Sequence, residues 1–268
     1  MERNLAAIVI PVYYSELDSF DRISLSRCFN LWGNKFDIFF VKPESLDLSS
    51  VLEKYSPSRV VSFDDHFFKD IKGYNKLMLS PFFYKQFLEY EYIFLYQTDG
   101  YIFKDELVNW CKKGYDYIGA PWIPKEKKLP RLNKVFTSCR RFINKLQGHP
   151  DRSEQYYKVG NGGVSLRKTS VFYNTAIADK TNIDKYVSRL GKSSMYNEDV
   201  YWSLARKKGS TEGLRIPGYK EALGFSFDMN PDICYKKNNN KLPFCCHGFS
   251  KPKFYPFWKK FININTYD

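Results

Sequence analysis

The first hundred residues alternate short apolar runs with helix-like segments, and this alternation restricts the chain to few folds. Four apolar runs are predicted strands, at residues 5–14, 35–42, 60–63 and 92–96. Residues 17–31 and 74–90 are predicted helices, the second interrupted near Pro81. Strands that alternate with helices indicate an α/β domain with a mostly parallel central sheet.

The positive charge of the chain is concentrated in two blocks. The 268 residues contain 42 basic and 29 acidic side chains, a formal charge of +13. Residues 123–158 contribute a net +7, residues 233–267 contribute another +7, and the rest is close to neutral. A basic surface attracts nucleic acid, anionic lipid or phosphorylated molecules. Two local patches argue against a surface that coats nucleic acid, so no nucleic-acid partner is expected.

Both basic blocks contain aromatic or apolar side chains at regular positions. Residues 133–147 predict a basic amphipathic helix inside an insertion, which suits either an anionic membrane interface or packing on its own domain. Residues 251–261 interleave lysines with aromatic rings, as in segments at lipid headgroups or in a packed terminal tail. These two segments predict a peripheral membrane contact, with packing on the domain as the alternative.

No segment has the composition of a membrane span or an export signal. The longest apolar runs fall short of the roughly 20 residues that a spanning helix needs, and the N-terminal run is short and contains Pro11. The six cysteines lack the spacing of a metal or disulfide framework. We therefore expect a cytoplasmic protein with reduced thiols, peripheral on the inner membrane if the basic segments bind lipid.

Polar residues follow two of the predicted strands. Residues 11–13 read Pro-Val-Tyr, and residues 97–100 read Gln-Thr-Asp-Gly directly after an apolar run. In open α/β sheets, ligands bind at the carboxyl ends of the strands. Asp99 is thus a candidate binding residue, although Asp-Gly also occurs as a simple turn.

Four further clusters carry candidate functional side chains. Residues 159–166, VGNGGVSL, place glycines where a backbone could approach a ligand, although a glycine turn has the same pattern. Glu198 and Asp199 precede a predicted helix over residues 200–206, as a helix cap or as a general base. His247 is one of three histidines, and Asn75 and Lys76 lie near the start of a helix. His247 is a candidate metal ligand or a structural histidine, and Lys76 a phosphate ligand or a solvated lysine.

Taken together, seven segments resemble an uncharacterised family of bacterial GT-A-type glycosyltransferases found in polysaccharide gene clusters. They read IVIPVYY, GYNKLMLSPFFYKQF, YIFLYQTDGYIFKDELVNW, YDYIGAPW, VGNGGVSLRK, NEDVYW and LPFCCHGF, and they span residues 8–249. The resemblance implies a single GT-A (Rossmann-like) domain with helices on both faces of the sheet and a basic helical insertion. Its expected parts are a nucleotide-sugar-binding half (1–122), the insertion (123–158), an acceptor and catalytic half (159–250) and a basic aromatic tail (251–268).

The resemblance also implies roles for the candidate residues. Residues Pro11, Val12 and Tyr13 would meet the nucleobase, and Asp99 with His247 would bind Mn²⁺ or Mg²⁺ at the donor diphosphate. Asp199, or else Glu198, would be the base that activates the acceptor hydroxyl. Trp122 would stack on a sugar. The remaining expected donor-binding residues are Asn75, Lys76, Gln97, Thr98, Asn161, Gly162 and Gly163.

One departure bears on the metal. Gln97 occupies the position of the first acid of the family's Asp-x-Asp motif, which makes the cation site weaker. The sequence thus predicts a metal-assisted, inverting transferase that moves a sugar from a nucleotide-sugar to a glycan or lipid-linked glycan in surface polysaccharide synthesis. The alternatives are a basic nucleic-acid-binding protein and a non-catalytic nucleotide-sugar-binding scaffold.

Overall fold

The strands form two sheets in the computed structural model, which describes residues 4–125, 151–205 and 213–263. The predicted helix over residues 133–147 lies outside these ranges. The described strands are β1 (Ala6–Pro11), β2 (Asp37–Pro43), β3 (Arg59–Phe63), β4 (Tyr92–Tyr96), β5 (Tyr101–Ile102), β6 (Tyr117–Gly119), β7 (Val164–Lys168), β8 (Ser226–Phe227) and β9 (Cys245–Cys246).

The helices that connect these strands are mostly short. They are α1 (Ser19–Trp32), α2 (Ser49–Leu52), α3 (Ile71–Met78), α4 (Pro81–Lys85), α5 (Leu107–Lys112), α6 (Thr169–Ala178), α7 (Lys180–Val187), α8 (Glu198–Val200), α9 (Tyr219–Phe225), α10 (Pro231–Lys237) and α11 (Tyr255–Trp258). Short 3₁₀ turns cover Asp65–Phe67, Arg152–Gln155 and Ser194–Tyr196.

The central sheet has the order β3-β2-β1-β4-β7-β6. Strands β3, β2, β1 and β4 are parallel, whereas β7 is antiparallel to both β4 and β6. Strand β1 is buried throughout. Its alternate residues enter two hydrophobic cores, Ile8 with α1 and Val9 with α3 and α4. Helices therefore cover both faces, which is the reason these strands are nearly continuous apolar runs.

The local signals in the sequence explain the helix boundaries. Asp18 and Asp21 form a reciprocal capping box, with Asp21 N donating to Asp18 Oδ1 at 2.8 Å and Asp18 N donating to Asp21 Oδ2 at 3.2 Å. The predicted break at Pro81 separates α3 from α4, and Ser80 caps the second helix. The helix predicted over residues 200–206 is different. The described chain has the single turn α8 and then a five-residue π-helical turn, Tyr201–Ala205.

A smaller sheet lies beside the central one. It has the order β5-β9-β8, with β9 antiparallel to β5 and parallel to β8. Its side chains form a third apolar cluster that includes Phe227, Cys246 and Trp258. The five described cysteines are all free and buried, and they pack as small apolar side chains.

The C-terminal tail packs against this third cluster. Trp258 is fully buried and stacks on Phe103, and Phe257 contacts Tyr235. The lysines at positions 259 and 260 remain exposed. The aromatic residues between the lysines thus serve packing, which was the alternative to headgroup contact. Within the described ranges, no helix has the length and apolar character needed to cross a bilayer.

Candidate functional site

The ends of β1 and β4 bring the first two predicted segments together. The strands are parallel neighbours, so residues 11–13 and 97–99 lie at the same edge of the sheet. Gln97 Nε2 donates to the Tyr13 hydroxyl at 3.4 Å. Pro11 is buried and the Val12 side chain lies in the core. Tyr13 is therefore the member of this triplet whose side chain reaches the site.

The predicted glycine loop crosses the same edge. Gln97 N donates to Gly163 O at 2.9 Å, and Asn161 Oδ1 accepts from the backbone N–H groups of Gly163 and Val164, both at 2.9 Å. Asn161 has a left-handed φ of 88°, which asparagine tolerates better than most residues. A Cβ on Gly163 would overlap His247 and Gln97. The glycine is needed because two side chains converge on its backbone.

A cluster of polar side chains centres on His247, and we call it the His247 cluster: Gln97, Asp99, Asp228, His247 and Lys251. His247 Nε2 lies 3.1 Å from Asp99 Oδ1 and 3.2 Å from Gln97 Oε1. On the other side of the ring, Nδ1 lies 3.0 Å from Asp228 Oδ1. Lys251 Nζ lies 3.4 Å from Asp99 Oδ2. The side chains are 12–46% exposed, so the cluster is accessible from one side.

The charges in this cluster shift one another's pKa values. Burial alone would raise the pKa of Asp99, but the positive charges of His247 and Lys251 lower it to about 2. Burial would lower the pKa of His247, but Asp99 and Asp228 raise it to about 9. Burial likewise opposes ionisation of Asp228, and His247 nevertheless lowers its pKa. Each carboxylate is thus held charged beside a cation.

The donor atoms of the His247 cluster fit a divalent cation. Asp99 Oδ1 is buried, and among the described residues its only polar contact is His247 Nε2 at 3.1 Å. His247 Nε2 lies 3.1 Å from Asp99 Oδ1 and 3.2 Å from Gln97 Oε1. Neighbouring ligand atoms of an octahedral Mg²⁺ ion have a similar separation of about 3.0 Å, because each lies about 2.1 Å from the ion. No group of three or more His, Cys, Asp or Glu side chains among the described residues forms a metal site. The fit therefore depends on the Gln97 amide oxygen and on oxygens from a phosphate ligand, as is usual for Mg²⁺.

A second ionic group lies on the opposite side of the glycine loop. Arg167 and Glu198 form a two-point ion pair, with Nη2–Oε1 at 2.8 Å and Nη1–Oε2 at 3.1 Å. Their side chains are 0% and 3% exposed. The Glu198 carboxylate raises the pKa of Arg167. Because removing Glu198 from this pair would leave a buried guanidinium uncompensated, we remove Glu198 from the candidate bases.

Asp199, the first choice for a base, differs from Glu198 although it is the next residue. Its Oδ2 accepts from Asn161 N at 3.2 Å and its Oδ1 from Val200 N at 2.8 Å. Burial, and secondly the charge of Glu198, raises the pKa of Asp199 to about 7. A carboxyl group that titrates near neutral pH suits proton abstraction.

Four other predicted residues have placements of their own. Asn75 is buried, and its Oδ1 accepts from Glu198 N at 2.5 Å, so it positions the loop before α8. Lys76 is partly exposed on α3, and Thr98 lies beside Asp21. Trp122 is 8% exposed and packs over Gly160. An exposure this low leaves little ring surface for the predicted stacking on a sugar.

Three residues of these two ionic groups were missed from the sequence. Asp228 follows a two-residue strand, which gives a weak periodic signal. Arg167 stands within the otherwise apolar strand β7. A charge in a buried strand requires a partner, and this signal could have revealed the Glu198 pair. Lys251 lies four residues after His247 but was counted with the basic tail.

Comparisons with known proteins identify the family and the fold. A profile of the family described as "Protein of unknown function (DUF5672)" matches residues 57–247. No curated protein matches the sequence. Mouse xyloside xylosyltransferase 1, in its apo form, is similar in structure with 11% identity and a TM-score of 0.52, over 90% of this chain and 96% of that one.

Two further solved structures are similar. The galactosyltransferase LgtC in complex with donor and acceptor sugar analogues has 10% identity and a TM-score of 0.52, over 90% of this chain and 86% of its own. The apo glycosyltransferase GlyE of Streptococcus pneumoniae TIGR4 has 10% identity and a TM-score of 0.51, over 92% and 55%. At these identities the likeness establishes the fold, a mixed α/β fold that matches GT-A glycosyltransferases.

Proposed function

The chain belongs to the DUF5672 family, and we propose that it is a GT-A glycosyltransferase that moves a sugar from a nucleotide-sugar to an acceptor hydroxyl. The observation that carries this proposal is the His247 cluster. It places a buried carboxylate oxygen, an imidazole and an ammonium group beside a glycine loop. These groups lie at the carboxyl edge of a parallel sheet, the usual ligand site of such folds.

The residues of the His247 cluster would hold the donor diphosphate with a divalent cation. Asp99 and His247, with the Gln97 amide, are the protein groups that would bind Mn²⁺ or Mg²⁺. Such a cation neutralises charge on the departing diphosphate. Lys251 adds a second positive charge 3.4 Å from Asp99. Tyr13 lies beside Gln97 with its ring partly exposed, where it would contact the nucleoside part of the donor.

Asp199 would accept the proton of the acceptor hydroxyl. Its raised pKa leaves a substantial fraction of the carboxyl group ionised at neutral pH and still basic enough to take a proton. The expected stereochemical outcome is inversion, by in-line displacement at the anomeric carbon. The anomeric proton coupling of the product measures this outcome directly, and retention would remove the base role of Asp199.

A non-catalytic nucleotide-sugar-binding scaffold is the second candidate function, favoured by Gln97 in place of an acid. A thermal-shift panel of UDP-, GDP- and CMP-sugars, with and without Mn²⁺, followed by an assay of donor hydrolysis, separates the two. Binding with hydrolysis or transfer supports the enzyme. Binding without turnover under any condition supports the scaffold, and no binding at all contradicts both.

Asp99→Ala tests the cation role. Removing the ligand that faces the diphosphate should reduce turnover about a thousandfold, since a cation contributes several kcal/mol of charge stabilisation. The matched control is Asp232→Ala, which removes an exposed aspartate on α10 and should leave turnover unchanged. Full activity of the Asp99 variant, or of the enzyme in excess chelator, would contradict the role.

Peripheral membrane binding during surface polysaccharide synthesis remains part of the proposal, and the exposed lysines of the tail support it. Co-sedimentation with anionic vesicles at low and high salt is the measurement. Salt-sensitive binding is expected because these charges lie in solvent. A protein that does not bind such vesicles at low salt would instead use its basic surface for the acceptor glycan.

A further inference from the structure

The position of Asp228 next to His247 follows from the small sheet. Strands β8 and β9 are parallel, with Phe227 paired to Cys246. His247 N continues this ladder by donating to Phe227 O at 2.9 Å. The next residue on each strand, Asp228 and His247, therefore stands at the same level. The contact between their side chains is built into the register.

The two nitrogens of the His247 ring face different partners. Nε2 faces Asp99 and Gln97, the groups that fit a divalent cation. Nδ1 faces Asp228 Oδ1 at 3.0 Å and Asn161 Nδ2 at 3.1 Å. A histidine binds a cation through a nitrogen that carries no proton, so a cation at this site must displace the Nε2 proton of the charged ring. The neighbours of Nδ1 then decide whether the ring keeps its other proton there.

Asn161 and Asp228 favour opposite tautomers of this ring. Asn161 Oδ1 already accepts two backbone N–H groups, which fixes the amide with Nδ2 toward the ring. That NH₂ group can donate only to an Nδ1 without a proton, whereas the Asp228 carboxylate accepts from a protonated Nδ1. Hydrogen bonds to a charged group are roughly twice as strong as neutral ones. When a cation is bound to Asp99 and Gln97, the Asp228 carboxylate is the charged acceptor that remains for the ring proton, and the ring should keep that proton on Nδ1.

We propose that Asp228 is a positioning residue that keeps the neutral His247 ring protonated on Nδ1 and so presents the Nε2 lone pair to a divalent cation shared with Asp99. This inference rests on the cation site of the proposed function. It adds a residue that acts on the site through His247 and does not itself touch the cation.

The first test is Mn²⁺ affinity without any sugar substrate. Titration of the full chain with Mn²⁺, followed by the electron paramagnetic resonance of free Mn²⁺, gives the dissociation constant. Asp228→Asn should weaken Mn²⁺ binding about 10- to 100-fold, as expected for loss of a carboxylate behind a ligating histidine. Asp232→Asn, with the same charge change on α10, should bind Mn²⁺ as the wild type does.

The second test determines which nitrogen of the His247 ring carries the proton. Long-range ¹H–¹⁵N spectra of labelled wild-type protein with Mg²⁺ should show His247 protonated on Nδ1, and His247→Gln assigns its signals among three histidines. In Asp228→Asn the proton should shift toward Nε2. A purely structural role of Asp228 would lower the melting temperature without moving this signal. The wild-type spectrum decides the tautomer even if the variant does not fold.

The outcomes separate this inference from the proposed function. Unchanged Mn²⁺ affinity in folded Asp228→Asn, a wild-type ring protonated on Nε2, or a wild type that binds no Mn²⁺ each overturns the inference. In the first two cases, wild-type transfer activity leaves the proposed function standing. Conversely, a weakened Mn²⁺ site and a shifted tautomer in a protein that transfers no sugar would uphold the inference and contradict the function.

Discussion

Two ionic groups on either side of the glycine loop contain the same kinds of side chain in different surroundings. The Arg167–Glu198 pair is 0% and 3% exposed and has near-ideal two-point geometry. In the His247 cluster, the side chains of Asp99 and Lys251 are 28% and 46% exposed. One group is closed to solvent, and the other is partly open to it.

Under the proposed function, the sealed pair serves folding and the partly open cluster serves ligand binding. The side chains of a sealed pair cannot contact a ligand, and removing one partner of the pair destabilises the fold. A partly open cluster is able to exchange one of its own contacts for a ligand. Glu198 was predicted as an alternative general base and Asp99 as a metal ligand, and the two carboxylates have different surroundings in the structure.

The largest effect is expected at the sealed pair. Glu198→Ala should lower the free energy of unfolding by about 3–5 kcal/mol, because it leaves a buried guanidinium without a partner. Urea denaturation followed by far-UV circular dichroism measures this value. Glu89→Ala, which breaks an exposed ion pair to Arg59, should change it by less than about 1 kcal/mol. Equal small losses in both variants would contradict a distinction between sealed and open groups.

Asp199 lies at the border between the two groups and tests catalysis. Its raised pKa means that the carboxyl group is protonated below about pH 7 and becomes a base above it. The kcat/KM of transfer should therefore rise with pH through about 7 and then level off. Asp199→Asn should lower kcat by about 10²- to 10⁴-fold and abolish this rise. A variant that keeps the same pH profile would show that another group is titrating.

Two adjacent glycines sharpen the comparison because each borders one group. A Cβ on Gly162 would overlap Glu198 Oε1, and a Cβ on Gly163 would overlap His247 Nε2. Gly162→Ala should cost about 1–3 kcal/mol of stability by overpacking. Gly163→Ala should mainly weaken Mn²⁺ binding, by about tenfold if it displaces the ring as a lost supporting contact does.

The matched control for the glycine pair is Gly218→Ala. A Cβ there meets no atom within 4 Å, so melting temperature and Mn²⁺ affinity should stay close to the wild-type values. The two readouts are measured on all three variants. If the Gly162 and Gly163 variants lose melting temperature and Mn²⁺ affinity to the same extent, the two ionic groups respond to substitution together rather than separately.

The smallest effect on ligand affinity is expected at Lys251, a partly exposed member of the His247 cluster. Lys251→Met removes the ammonium group beside Asp99, and since it is 46% exposed the affinity for a nucleoside diphosphate should fall only about two- to fivefold. Isothermal titration calorimetry with Mn²⁺ present measures the change. Lys253→Met, an exposed lysine two residues on, is the control. A similar loss in both variants would mean that the tail acts through its overall charge.

The elements of the sheet were predictable because their signals are local. The strand over residues 92–96 was predicted with the bounds that β4 has, and the break at Pro81 separates two helices as expected. Asn161, Gly163, Asp99 and His247 were also identified as candidates, and the structure brings them together. Glycines, a rare histidine and an acid at a strand end are conspicuous in a sequence because their chemistry is unusual there.

The roles of neighbouring residues could not be predicted in the same way. The sequence leaves Glu198 as an alternative to Asp199 for the base, and the resemblance makes Trp122 a candidate for stacking on a sugar. The structure assigns one acid to Arg167, 31 residues away, and buries the tryptophan. Asp228 was identified only from the structure, because the pairing of the short strands β8 and β9 places it against His247.

The sequence by itself thus determined an α/β domain, the edge of the sheet where a ligand would bind, and most of the side chains that gather there. The tertiary structure decided which of those charged side chains are sealed in a buried ion pair and which are partly exposed to solvent. The physical reason is that strand periodicity and turn chemistry act between near neighbours in the chain. Burial, pKa and hydrogen-bond partnership depend on residues that are distant in sequence and meet only in the folded protein.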